Sequence, residues 1–178
     1  MLVPKLHLKN KEEVILKLYK CREVKTPEYG SEGAAGIDFF VPKFTKELIE
    51  KIEEDNYKLS EGSFTIENDT IIVYPNTRFI LPLGIRAYVP ESTALVAKNK
   101  SGVSLIKGVV KLAELVDSDY HGEIFFTLLN TSRKAVYMRE NDKIIQFIHT
   151  PILRGFEMID DYKVHSERGE GALGSTGS

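Results

Sequence analysis

The chain of 178 residues contains a single cysteine, Cys21. A lone cysteine cannot form a disulfide within the chain, which is typical of proteins in a reducing compartment. No apolar run approaches membrane-spanning length, and residues 1–5 do not begin a secretory signal. We therefore expect no membrane partner and a location in the cytoplasm, or in the cytoplasm of an infected host cell if the protein is viral.

The sequence also has little excess charge and no paired histidines. Its 24 Lys and Arg residues against 26 Asp and Glu residues give a formal net charge of −2, so we expect no nucleic-acid partner. The four histidines are scattered without the spacing of a zinc site. Any metal is therefore expected to be a hard cation, held by carboxylates and by the phosphates of a substrate.

Short runs of β-branched and aromatic residues dominate the chain, with no alternation of strand and helix patterns and no internal repeat. Prolines punctuate these runs, as in barrels and sandwiches. The predicted strands lie at residues 71–74, 79–81, 85–89, 123–129, 135–138 and 144–149. We predict an all-β fold, and the length suits one domain over residues 1–178.

One segment, residues 45–58, departs from the β pattern. Leu48 and Ile52 continue a spacing of four that starts at Phe44, with Ile49 beside them and charged residues on the opposite face. We predict an amphipathic helix within an insertion at about 43–70. The helix either packs on the flank of the barrel with its charged face in solvent or binds a protein partner.

The C-terminal residues 168–178 are rich in glycine and contain the spacing Gly-x-Gly-x-x-Gly at Gly169, Gly171 and Gly174. In dinucleotide-binding folds this spacing opens a helix, but only four residues follow Gly174, so we reject that interpretation. Free backbone amides and the guanidinium of Arg168 are suited to phosphate oxygens. We predict a mobile arm at about 166–178, with a tail of no function as the alternative.

Four other polar stretches interrupt the apolar pattern, and each alone is also typical of a turn. Asp38 follows small residues that allow close backbone approach. Residues 100–102 combine a cation, a hydroxyl and a flexible amide, which together suit an anion. The four stretches are residues 33–38, 100–102, 117–123 and 141–146.

In this order, and together with the arm, the stretches resemble the five motifs of the trimeric dUTPase family, the dUTP diphosphatases. The resemblance runs from about Lys17 to Ser178 and is interrupted by the insertion. The motifs are Ala-Gly-Ile-Asp at 35–38, Lys-Ser-Gly at 100–102, Glu-Leu-Val-Asp-Ser-Asp-Tyr-His-Gly at 114–122, Asn-Asp-Lys-Ile-Ile-Gln at 141–146 and the glycine-rich residues 168–177.

The resemblance implies a dUTPase-like β-barrel or jelly roll with one inserted helix. It implies a homotrimer whose C-terminal arms are exchanged between subunits. It also implies hydrolysis of dUTP to dUMP and pyrophosphate by attack of water on the α-phosphate, with Mg²⁺ as cofactor. Such an activity limits uracil in DNA and supplies dUMP for thymidylate synthesis.

Catalytic and base-binding roles follow from the same resemblance. Asp117 corresponds to the general base that deprotonates the water, and Tyr120 to the aromatic platform under the deoxyribose, which leaves no room for a 2′-hydroxyl. Uracil would pair with the backbone of a hairpin that includes Lys111, Glu114 and Leu115.

Phosphate-binding roles complete the expected site. Asp38 would support the magnesium region indirectly, through water, and Leu173 of the arm would cover the base. Phosphates or ordered water would be held by Lys100, Ser101, Gly102 and Gln146, and from the arm by Arg168, Gly174, Ser175 and Thr176.

Three positions depart from the family pattern. Lys100 replaces arginine, which keeps the charge and loses the bidentate fork. Glu114 stands where the family has glycine, so the hairpin must accept a side chain there, or the residue must have φ below zero. Leu173 replaces phenylalanine, so stacking on the base becomes plain apolar cover.

Two other functions compete with dUTP hydrolysis. The related dCTP deaminases carry a catalytic glutamate three residues before the asparagine of this strand. Here the residue three before Asn130 is Thr127, flanked by Phe126 and Leu128, so no carboxylate is available for deamination. The second alternative is a dUTPase-like module that senses a nucleotide and regulates a partner protein through the insertion.

Overall fold

The structure is a computed structural model that describes residues 15–57, 59 and 62–158. In these residues the chain forms three antiparallel sheets, one α-helix and one π-helical turn. The helix is α1 (Lys46–Tyr57), and the turn is Gly102–Ile106. The strands are β1 (Lys17–Lys20), β2 (Glu28–Tyr29), β3 (Ile37–Phe40), β4 (Phe64–Glu67), β5 (Thr70–Val73), β6 (Arg78–Tyr88), β7 (Thr93–Lys98), β8 (Val109–Lys111), β9 (Leu115–Val116), β10 (Glu123–Asn130), β11 (Val136–Arg139) and β12 (Lys143–Pro151).

The sheets place their strands in the orders β1-β6-β10-β8, β11-β5-β4 and β2-β3-β12-β7-β9. Alternate residues of β10, among them Ile124, Phe126 and Leu128, are buried in one continuous core. In the same core, the rings of Phe39 and Phe147 lie 4.7 Å apart. The predicted all-β fold is confirmed.

Strand β6 corrects one detail of the prediction. The runs at 79–81 and 85–89 form a single strand of 11 residues that contains Pro82 and Gly84. β1 pairs with β6 only from Ile85 to Tyr88, so in the described chain β6 has a strand on one side alone at Pro82. A proline lacks a backbone donor and is tolerated at such an unpaired edge.

The predicted helix is confirmed as α1, which packs against β6. Leu48 and Ile52 are fully buried. Asn56 is also fully buried, and its side chain clamps one peptide unit of β6: Nδ2 donates to Ile80 O at 2.8 Å, and Ile80 N donates to Oδ1 at 2.7 Å. A buried polar side chain with both partners satisfied therefore fixes the helix on the barrel.

The outer face of α1 is charged, and part of it is paired within the helix. Lys46 lies 3.6 Å from Glu50 and both side chains are exposed, whereas Lys51 turns inward to Asp55 at 2.5 Å, of whose side chain only 16% is exposed. This arrangement agrees with a helix on the flank of the barrel whose outer face is in solvent. A protein partner for that face stays a prediction.

Candidate active site

Three of the motifs meet around one buried carboxylate, Asp38 in β3. Only 4% of Asp38 is exposed. Lys100 Nζ lies 2.5 Å from its Oδ1, and Lys143 Nζ lies 3.1 Å from its Oδ2. Burial alone would raise the pKa of Asp38, but the two ammonium groups outweigh it and hold that pKa below its ordinary value. The carboxylate is therefore an anion that holds two cations in place.

Lys143 was not among the predicted site residues. It precedes the predicted Gln146 in the fourth motif, and it also contacts Glu28 of β2 at 3.2 Å. Glu28 lies opposite Asp38 in the pairing of β2 with β3, so both carboxylates reach the same ammonium group. The signal in the sequence was its place in the motif, but only the pairing of β3 with β12 brings Lys143 to Asp38.

Gln146 joins the first, second and fourth motifs. Its Nε2 donates to the carbonyl of Asn99 at 3.1 Å. A Cβ at Gly36 would lie 3.0 Å from Gln146 Cδ and closer still to its Oε1, so a side chain at position 36 would displace the amide of Gln146 from its present place. Ser101 and Gly102 then begin the π-helical turn with exposed backbone. Amides at the start of a helical segment have no partner within it and are free for an anion.

Residues 111–115 form a second element, called here the base hairpin. Its own chain satisfies three of its amides. Lys111 N donates to Asn99 Oδ1 at 2.9 Å, and the amides of residues 112 and 113 donate to Thr127 O and Thr127 Oγ1, each at 2.8 Å. Thr127 thus supports the hairpin, where the dCTP deaminases would have their glutamate. Neither Asn99 nor Thr127 is among the predicted site residues, because both reach the hairpin through contacts that no local motif marks.

Glu114 shows how the hairpin accepts a side chain at the position of the family glycine. It is not among the described residues with positive φ, so its backbone is ordinary for an L-residue. Its carboxylate is exposed and pairs with the ammonium group of Lys111, which lowers the pKa of Glu114. The side chain therefore points away from the strand pairing and forms an ion pair across the hairpin.

Asp117 and Tyr120 lie in a tight turn after β9, in which Tyr120 N donates to Asp117 O at 3.2 Å. Both side chains are exposed. The Tyr120 hydroxyl donates to the carbonyl of Glu123 at 2.8 Å, and its ring covers Gly122, where a Cβ would overlap it. Desolvation, followed by the charge of Glu123, raises the pKa of Tyr120, so its hydroxyl keeps its proton at neutral pH.

The structure keeps Asp117 away from the Asp38 cluster of the same chain. Asp38, Gln146 and Lys98 form one row across β3, β12 and β7, whereas Val116 lies opposite Leu95. Asp117 thus falls four rows along β7 and three strands across from Asp38. At about 3.3 Å per residue and about 4.8 Å per strand along a flat sheet, the two backbone positions are about 20 Å apart.

The predicted residues therefore fall into two groups and a remainder. The first group surrounds the Asp38 carboxylate and comprises Asp38, Lys100, Ser101, Gly102 and Gln146. The second group lies along the base hairpin and the turn after it and comprises Lys111, Glu114, Leu115, Asp117 and Tyr120. Arg168, Leu173, Gly174, Ser175 and Thr176 lie outside the described residues.

In the described part of the chain, no three His, Cys, Asp or Glu side chains converge as metal ligands. Among the same residues, no helix has the length and apolar character needed to span a membrane.

Comparison with known proteins decides the family. The family model described as dUTPase matches residues 65–177. The deoxyuridine 5′-triphosphate nucleotidohydrolase of Neisseria meningitidis serogroup B is 31% identical over 156 residues, which cover 85% of this chain and 87% of that protein. The chain belongs to the dUTPase family. The matched residues include the stretches at 100–102, 114–122, 141–146 and 168–177, and the insertion at about 43–70 stays a prediction.

Solved dUTPase structures share the fold. A dUTPase of Staphylococcus bacteriophage 80alpha, solved with dUpNHpp, superposes with a TM-score of 0.68 at 17% identity and covers 92% of this chain and 99% of that one. A dUTPase from phage phi11 of S. aureus, described with a structural Mg(II) ion, has a TM-score of 0.64 at 16% identity and covers 84% of this chain and 99% of that one. The likeness shows the β-barrel fold.

Proposed function

We propose that this dUTPase-family chain hydrolyses dUTP to dUMP and pyrophosphate. The proposal rests on the base hairpin, in which three backbone hydrogen-bonding groups have no partner among the described residues. Glu114 N, Leu112 O and Ala113 O have no hydrogen-bond partner among the described residues, although the amides of residues 111–113 are all paired. An unpaired donor beside unpaired acceptors is suited to a ligand edge of complementary pattern.

Uracil has that edge, because it presents a donor at N3 between two carbonyl acceptors. The amide of Glu114 can donate to a uracil carbonyl, and a hairpin carbonyl can accept from N3–H. Cytosine in the same orientation would set its amino group against the amide of Glu114 and its N3 acceptor against a hairpin carbonyl. A ligand that leaves the polar groups of its binding site unpaired is rejected strongly.

Asp117 supplies the base for the reaction. In the proposed step, its carboxylate accepts a proton from a water, and the water oxygen forms a bond to the α-phosphorus while the bond to the bridging oxygen of the β-phosphate breaks. Lys100, Lys143 and the amides of Ser101 and Gly102 hold the phosphates and offset their charge. Exposure of Asp117 to solvent gives the water access to it.

Magnesium would be held by the phosphates of the nucleotide. Both oxygens of Asp38 are engaged by ammonium groups, so a metal would have to share an oxygen with a cation or displace it, and the carboxylate would act on the metal region indirectly. A bound Mg²⁺ would neutralise charge on the phosphates. The chain's own part is to fix Lys100 and Lys143 beside them.

The separation of about 20 Å between the backbone positions of Asp117 and Asp38 supports a site shared between protomers. A triphosphate held by Lys100 beside Asp38 would not bring its α-phosphate to Asp117 of the same chain across that distance. In a homotrimer, Asp117 and the base hairpin of one protomer would meet Lys100 and Gln146 of the next. The arm of residues 166–178, with Arg168 and Leu173, would close over the nucleotide.

The test is pyrophosphate release from dUTP, UTP, dTTP and dCTP, each with Mg²⁺. We expect rapid release from dUTP alone and a large loss of rate in excess chelator. Comparable turnover of dCTP or dTTP would contradict the proposed selection of the base, and comparable turnover of UTP would contradict the role of Tyr120. No release from dUTP would contradict the proposed function itself.

A further inference from the structure

Glu123 is the first residue of β10 and follows the turn that carries Tyr120. Its carboxylate is held by two elements. Arg22 donates from Nε to Oε1 at 2.8 Å and from Nη2 to Oε2 at 3.0 Å, and Gly84 N donates to Oε1 at 2.8 Å. Only 21% of the Arg22 side chain and 11% of the Glu123 side chain are exposed. Such a bidentate, part-buried pair is geometrically specific.

Gly84 of β6 forms hydrogen bonds both to the segment that carries Arg22 and to Glu123. Its carbonyl accepts the amides of Cys21 at 2.9 Å and Arg22 at 3.4 Å, while its own amide goes to Glu123. Its φ is +69, and a Cβ there would lie 3.1 Å from Cβ of Arg22. A side chain at this position would be strained by the positive φ and would crowd Arg22.

The carboxylate of Glu123 fixes the position of its own carbonyl group. The pairing of β10 with β6 shifts register between Glu123 and Phe125, so Glu123 is not held by a continuous ladder. Its side chain supplies the missing restraint. The carbonyl in turn accepts the Tyr120 hydroxyl at 2.8 Å, so the chain of contacts runs from Arg22 and Gly84 through Glu123 to the ring.

We propose that Glu123, braced by Arg22 and Gly84, is a positioning residue that fixes the Tyr120 ring and thereby sets the discrimination between deoxyribose and ribose nucleotides. The inference rests on the proposed hydrolysis of dUTP. If the Tyr120 ring is fixed at one distance from the sugar, there is room for the C2′ methylene of deoxyribose but not for the 2′-hydroxyl of ribose. If the ring can move by about 1 Å, the added oxygen can be accommodated.

The test compares kcat/KM for dUTP and UTP in the full-length chain. Glu123→Gln keeps the shape and can still accept from Gly84 N, but it loses the ion pair with Arg22. We expect the dUTP-to-UTP ratio to fall about tenfold in Glu123→Gln, through a gain on UTP, because one restraint on the ring is lost. Arg22→Lys should shift it in the same direction. The control Glu23→Gln breaks the neighbouring Lys43–Glu23 pair of 2.8 Å and should leave the ratio unchanged.

Tyr120→Phe separates positioning from stability. It removes the hydroxyl that Glu123 holds, so adding Glu123→Gln to Tyr120→Phe should change the ratio no further. If Glu123→Gln lowers the melting temperature while the ratio stays at the wild-type value, Glu123 only stabilises the fold and the inference is wrong. Independent effects of the two substitutions on the ratio would also overturn it.

A spectroscopic measurement decides the inference independently of activity. With fluorotyrosine incorporated, the Tyr120 signal is the ¹⁹F resonance that Tyr120→Phe removes. Glu123→Gln should shift or broaden that resonance and leave the ¹⁹F resonances of the other tyrosines in place. An unmoved resonance would contradict the positioning role. If the wild-type chain does not hydrolyse dUTP, the proposed function fails, and this resonance still shows whether Glu123 positions the ring.

Discussion

Nζ of Lys100 lies 2.5 Å from Oδ1 of Asp38, although 62 residues separate them in the sequence. The ion pair joins the first motif to the second and places an ammonium group at the start of the π-helical turn. In the proposed site, a nucleotide phosphate would therefore share Lys100 with Asp38. Lysine can point to both anions but cannot form the bidentate fork that arginine offers to a phosphate.

The Asp38 cluster predicts a specific pH dependence of stability. Because the pKa of Asp38 is lowered in the folded chain, its contribution is complete above the unfolded pKa and is lost as pH falls through the folded pKa. Urea unfolding should give a constant difference in free energy between wild type and Asp38→Asn from about pH 5 to about pH 7, shrinking below about pH 4.

Asp69→Asn is the matched control for this measurement, because Asp69 is exposed and lies in the turn between β4 and β5. It should show little difference from wild type at any of these pH values. A difference for Asp38→Asn that persists undiminished at about pH 3 would contradict the assignment of Asp38 as an anion held by two cations.

The hydrogen bonds of Asn56 to Ile80 predict how much the inserted helix contributes to the free energy of unfolding through this contact. Asn56→Ala leaves both the amide and the carbonyl of Ile80 without their partner, so we expect a loss of about 2–4 kcal/mol in the free energy of unfolding. Glu50→Ala, on the exposed face of the same helix, should change it by less than about 0.5 kcal/mol. Equal losses in the two variants would show that the clamp on β6 does not fix α1.

Much of this site is predictable from the sequence because its motifs are local. Asp38, Asp117 and Tyr120 each lie in a short glycine-containing stretch whose order along the chain identifies the family. The helix is predictable for the same reason, since Leu48 and Ile52 lie one turn apart on one face.

The supporting residues depend on pairing between distant strands, and sequence periodicity does not contain that information. Lys143 reaches Asp38 only through the register of β3 with β12, and Thr127 reaches the base hairpin only through the register of β8 with β10. The continuity of β6 was missed because Pro82 is normally a strand breaker, and the unpaired edge that tolerates it is set by where β1 ends.

Substitution of Asp117 should lower the rate of hydrolysis without loss of dUTP binding. Asp117→Asn can still hydrogen-bond the water but cannot take its proton, so we expect kcat to fall by about 10²–10⁴-fold while calorimetry shows dUTP still bound. Asp119→Asn, two residues further along the same turn, should retain most of the activity. Near-normal kcat in Asp117→Asn would place the general base elsewhere.

The central claim is that Asp117 and Lys100 act on one nucleotide from different protomers, and subunit mixing tests it most directly. The inactive variants Asp117→Asn and Lys100→Met are unfolded together in equal amounts and refolded, with exchange confirmed by mass spectrometry. Random assembly gives about one site in four both intact residues if two symmetry-related chains supply them. We predict recovery of about a quarter of wild-type dUTP hydrolysis; a mixture as inactive as its parents would show that one chain supplies both residues and would contradict the shared site.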